Sequence, residues 1–165
     1  MQNKKNRFLA QAGMIAAIYV ALTFAFAPIS FGEVQVRIAE ALTILPVFTP
    51  AAVPGLFVGC LLGNTLGGAA LPDIIFGSLA TLAGALGTRA LRRANPWLAP
   101  LPPIASNTLV VPWVLKYAYG IGLPIPFMML TVGIGEVFSC GVLGMILYFA
   151  LKKRQSAIFR EFSQE

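Results

Sequence analysis

The sequence predicts an all-α membrane protein: a single integral membrane domain over residues 1–165, built from six transmembrane helices. Three observations carry that prediction. Of 165 residues, 58% are apolar and 11% charged, with a mean hydropathy of +0.80, far from the charged quarter of an ordinary soluble domain. The apolar residues gather in runs suited to a hydrocarbon core about 30 Å thick. The cations border those runs: Lys4, Lys5 and Arg7 precede the first, Arg89, Arg92 and Arg93 follow the fourth, and Lys152, Lys153 and Arg154 follow the sixth. Basic clusters at span ends mark the cytoplasmic side. Both termini are therefore expected there, and the net charge of +6 reads as membrane orientation, not as a nucleic-acid surface.

Span one covers residues 8–28 and stops where Pro28 cannot continue a helix comfortably. Its basic start and Ala25-Phe26-Ala27 also fit a signal peptide. Its apolar stretch is too long for a signal core, and five more spans follow, so a retained helix is expected. In the outer loop that comes next, Val34, Val36 and Ile38 alternate with Gln35 and Arg37, a period of two that predicts a short extended piece. Span two, residues 38–50, is short and punctuated by Pro46, Pro50 and Pro54, which predicts a short or broken helix. Span three, residues 55–71, places Gly59, Gly63 and Gly67 on one face for close helix packing. Span four, residues 72–91, opens on Pro72-Asp73, a proline and an acid suited to a first turn. Gly77, Ala80, Gly84 and Gly87 continue the small-residue theme. After an Asn95-Pro96 turn, span five covers 102–119 and span six 124–151, followed by a polar tail.

Several chemistries find no support. There is no histidine, and Cys60 and Cys140 lie in apolar runs without paired spacing, so no metal or haem site is expected and both thiols read as packing. No GxxxxGK[ST] loop is present, so any ATP that drives this chain is hydrolysed elsewhere. No nucleophile with its base and no paired-acid motif points to catalysis.

The remaining ions are Glu33, Arg37, Glu40, Asp73, Lys116 and Glu136. Ionisable groups at membrane depth cost several kcal/mol and are functional suspects by default. Glu136 is the deepest, about 18 Å below the outer start of span six at 1.5 Å per residue, and the other five fall near the outer face. Asn107 of span five reaches a similar depth, so a carboxylate and an amide converge near the midplane, either to meet a polar solute or to tie two helices together. Arg37 and Glu40 are three apart and able to pair, as an anchor for the outer loop or as solute ligands. Gln35 shares a side of the extended piece with Arg37, placed to read a flat heterocycle by two hydrogen bonds. Asp73 has a ready structural use at a helix start, and Asn64, nine residues earlier on span three, is within reach to join it at the outer mouth. Trp113, Tyr117 and Tyr119 form an interfacial belt, with Trp113 deep enough to stack on an aromatic solute. Lys116 snorkels to the interface.

Phe31-Gly32, the run from Val36 to Pro46 (VRIAEALTILP), the run from Phe48 to Leu56 (FTPAAVPGL) and the run from Asp73 to Leu82 (DIIFGSLATL) resemble the QueT family. Its members are substrate-binding (S) components of energy-coupling factor (ECF) transporters. The resemblance implies a six-helix S-component bundle that captures a queuosine precursor, a 7-deazaguanine base or queuine, on the extracellular side. It also implies a transmembrane coupling protein and two cytoplasmic ATPases as partners in the cell membrane, with no cofactor in this chain. S components carry an AAxxxA-like motif on span one for docking, which Ala16, Ala17 and Ala21 match. Two alternatives stay open: an S component for another vitamin-like metabolite, and a proton-coupled secondary transporter using Glu136.

Overall fold

A computed structural model describes residues 2–26 and 37–154, and among these every regular element is helical. The helices are α1 (Gln2–Ala25), α2 (Ile38–Val47), α3 (Ala52–Leu66), α4 (Asp73–Arg93), α5 (Leu101–Ala118) and α6 (Ile125–Lys152). Four stretches, Lys4–Ala25, Asp73–Arg93, Pro96–Ala118 and Ile125–Lys152, are long and apolar enough to cross a membrane; α2 and α3 are apolar but shorter.

The bundle is apolar outside and holds its polar side chains within a largely apolar core. Met14, Leu62, Leu79, Leu109, Leu130 and Ile146 are exposed, while Glu40, Asn64, Asp73, Thr81, Asn107 and Glu136 are buried. That inversion suits a hydrocarbon solvent, which leaves polar groups no partners except one another.

Small residues bring the helices together. A methyl added at Gly59 of α3 would stand 2.8 Å from Tyr19 Cβ and 3.1 Å from Ala16 Cα of α1, so only glycine permits this approach. Gly55 and Gly63 lie on the same seam, whereas Gly67 serves as the C-cap of α3, its N–H donating to the Gly63 carbonyl. Between α4 and α5, a methyl at Gly84 would come within 2.6 Å of Pro103 Cα.

α2 is a ten-residue 3-10 helix with Pro46 inside it. Proline lacks the N–H that an α-helix needs there, and its ring crowds the carbonyl four residues back. The tighter winding rises about 2.0 Å per residue, so ten residues still cover about 20 Å. Arg37 enters this helix in extended backbone, with φ −89° and ψ 95°. The extended piece expected around Gln35 lies otherwise outside the described residues.

π-helical turns interrupt two of the long helices, at Asp73–Gly77 in α4 and Val137–Leu143 in α6. Each widens the backbone where a buried acid sits: Asp73 opens the first, and Glu136 immediately precedes the second.

Candidate functional site

A polar cluster lies inside the bundle, centred on Glu40 and Glu136, which are 0% and 3% exposed. Glu40 Oε1 accepts hydrogen bonds from the Tyr19 hydroxyl of α1 and, at 3.3 Å, from Thr81 Oγ1 of α4. Its other oxygen, Oε2, is buried with no hydrogen-bond partner. Glu136 Oε2 accepts from the Cys140 thiol at 3.2 Å, one helical turn away. The Asn107 side chain of α5 lies beside both carboxyls. Thr43 of α2 lies 3.4 Å from Cys140 Sγ, and Thr81 lies 3.4 Å from Cys60 Sγ. Glu40, Glu136 and Cys140 each bring a donor atom within 4.8 Å of the others. α1 to α6 all contribute to this cluster.

Two expectations change here. Glu40 does not sit near the outer face: the 3-10 helix carries it inward to Glu136. Nor are the thiols mere packing, since both take part in the polar network. No sequence signal placed Tyr19, Thr43 or Thr81 in it, because each occurs in a run that reads as ordinary membrane helix.

A second cluster closes over Arg37. Its guanidinium meets Asp73 Oδ2 at 3.4 Å and donates to Asn64 Oδ1 at 3.3 Å. Asn64 Nδ2 donates in turn to the Asp73 carbonyl at 3.3 Å, and Tyr119 Oη donates to Asp73 Oδ2 at 2.9 Å. Burial disfavours the Arg37 charge, but Asp73 together with other neighbours, Glu40 among them, outweighs it and holds the guanidinium protonated. The expected meeting of Asn64 with Asp73 is present. Arg37 takes Asp73 and Asn64, while Glu40 is held by Tyr19 and Thr81, so the spacing of three does not decide their partners. Tyr119 leaves the aromatic belt to join this group.

Trp113 stands apart from both clusters. It is 47% exposed, stacks on Tyr117 with ring centroids 6.2 Å apart, and lines an outward apolar groove with Pro72, Phe76 and Leu109. On α1, Ala17 and Ala21 are exposed, whereas Ala16 is 6% exposed and packs on Gly59. Ala16 therefore serves the internal α1–α3 seam and is not open to a partner. Gln35 lies outside the described residues.

Comparison with known proteins adds a family. A model described as the QueT transporter matches residues 9–153. The chain is similar to a protein of Lactococcus lactis subsp. cremoris named queuosine precursor transporter QueT, with 31% identity over 84 residues, 50% of this chain and 49% of that protein. The matched stretch thus spans about half the length of that relative. No solved structure matches.

Proposed function

Given that the chain belongs to the QueT transporter family, we propose that it is the substrate-capture subunit of an ECF importer, binding a queuosine precursor from the extracellular side of the cell membrane. The observation that carries this reading is the family match across residues 9–153. The name of the Lactococcus relative supplies the solute class. The deep cluster suits that class chemically: a 7-deazaguanine base offers N–H donors on its guanidine-like edge, and Glu40, Glu136 and Asn107 supply acceptors and a donor in a setting without competing water. Arg37, Asn64 and Asp73 lie at the outer mouth, where they order the entrance.

In this reading the chain crosses the membrane six times with both termini cytoplasmic, α2 and α3 being the short crossings. It performs no catalysis and carries no cofactor. Two cytoplasmic ATPases supply the work through a transmembrane coupling protein, which docks on the exposed groove at Ala17 and Ala21. Small residues one turn apart let a partner helix approach closely.

A second reading, a proton-coupled secondary transporter using Glu136, draws on the buried pair of carboxyls. Uptake into vesicles holding the full assembly separates the two. The ECF reading expects uptake that requires ATP and survives an uncoupler; uptake abolished by the uncoupler with ATP still present would sink it. The solute class is tested by mass spectrometry of the compound retained by the purified protein. A 7-deazaguanine is expected, and a retained vitamin of another class would replace that assignment.

A further inference from the structure

Away from both polar clusters, a groove of about 510 Å³ opens outward between α5 and α6, lined by Trp97, Leu101, Ile104, Gly141, Ile146 and Phe149 among others. Every side chain lining it is apolar, apart from the Trp97 indole N–H. Trp97, Leu101, Val137 and Ile146 are exposed, so the groove faces the bilayer. It follows α6 from Val137 to Phe149, at most about 18 Å at 1.5 Å per residue. That is close to the ~15 Å of hydrocarbon in one leaflet.

Charge gathers at one end of this groove. Val142, Ile146 and Phe149 follow one another at spacings of four and three, and the next place on that face, one turn on, is Lys153. Lys152 stands beside it, its ammonium 5.5 Å from the centroid of the Tyr148 ring. Both lysines are exposed. Trp97, whose ring meets that of Phe149 edge-on at 5.9 Å, follows Arg92 and Arg93 at the same end. The acids among the described residues are Glu40, Asp73 and Glu136, all buried in the two polar clusters. No described carboxylate therefore answers the two lysines.

An apolar trough one leaflet deep, ending at two ammonium groups, suits a phospholipid with an acyl chain in the trough and an anionic headgroup at its mouth. A partner helix would instead want a face of small residues for close approach, and Gly141 is the one glycine lining this groove. We infer that the α5–α6 groove is a binding site for an anionic phospholipid, its phosphate held by Lys152 and Lys153. The site rests on the chain's place in a membrane and is independent of its solute. With the termini cytoplasmic, the lipid comes from the inner leaflet.

The test reads Trp97, which Trp113→Phe leaves as the sole tryptophan. This parent protein is reconstituted in two sets of vesicles of identical composition, phosphatidylcholine with a minor fraction of phosphatidylglycerol. They differ only in whether phosphatidylglycerol or an equal number of phosphatidylcholine molecules carries bromine on its acyl chains, where it quenches an indole in contact. Brominated phosphatidylglycerol is expected to occupy the site at least about fivefold more often, the preference that one lysine near a membrane surface supplies. Lys152→Gln with Lys153→Gln should bring the ratio toward one, whereas Lys4→Gln with Lys5→Gln, on α1, should preserve it. Gly141→Leu should also shrink the ratio with every cation in place: an added methyl there stands 3.8 Å from Val137 and 3.9 Å from Ile104, so the larger side chain enters the groove without a clash. Equal quenching by the two lipids in the parent would overturn the inference without any variant. So would a preference that survives loss of both lysines or filling of the groove, or one lost equally with Lys4 and Lys5. Loss of quenching when the coupling protein is present would assign the groove to that protein and overturn the inference too.

Discussion

The Tyr19 hydroxyl donates to Glu40 Oε1 at the centre of the bundle, joining the first helix to the short 3-10 helix. Tyr19 is 2% exposed, and its Cβ faces Gly59. Removing the hydroxyl leaves a buried carboxyl short of one donor. Tyr19→Phe is expected to lower stability by about 1.5–3 kcal/mol, the range for a hydrogen bond to a charged group, read as a lower thermal midpoint in detergent. An unchanged midpoint would mean that the bond contributes nothing net.

Arg37 and Asp73 form a buried pair, so breaking one side should hurt more than deleting both. Arg37→Met strands the Asp73 carboxylate and is expected to cost about 3–5 kcal/mol. Adding Asp73→Asn should recover part of that loss, a coupling that a double-mutant cycle measures directly. Strict additivity would show that the two side chains do not interact.

The α1–α3 seam has no room for a side chain at Gly59. Gly59→Leu is expected to destabilise the bundle by at least about 2 kcal/mol through overpacking, whereas Gly13→Leu, where nothing lies within 4 Å of an added methyl, should be close to neutral. Comparing their unfolding in detergent separates close packing from a general intolerance of larger residues.

Alanines 16 and 17 adjoin in sequence, but Ala16 is buried and Ala17 is exposed. Ala17→Trp is expected to abolish co-purification with the coupling protein while leaving the chain folded, and Ala16→Trp to disrupt folding by colliding with α3. If the Ala17 variant still assembles, the docking surface lies elsewhere.

Much of the architecture was legible because the bilayer imposes a simple rule: apolar runs long enough to span, with cations at their ends. Helical content followed from that rule, the short second element from its length and prolines, and Asn107 and Glu136 were matched in depth by counting helical rise. The depth of Glu40 was not legible. It depends on the winding of α2, and a residue three places into a short helix reads as near the surface whichever way that helix winds. Tyr19 and Thr81 escaped notice, and Cys140 read as packing, for a different reason: hydroxyls and thiols in membrane helices commonly bond their own backbone, so nothing local distinguishes those that cross to a neighbour. The π turn after Glu136 left no mark in residue type. Ala16 was misplaced because an AAxxxA pattern fits internal packing and external docking equally, and only the position of Gly59 decides.

The central claim is that the Glu40–Glu136 cluster is where a queuosine precursor is held. Titrating the purified chain with a 7-deazaguanine base of the queuosine-precursor class tests it most directly. One site per chain is predicted, weakened at least about tenfold, or 1.4 kcal/mol, by either Glu40→Gln or Glu136→Gln. Full-strength binding in both variants would contradict it.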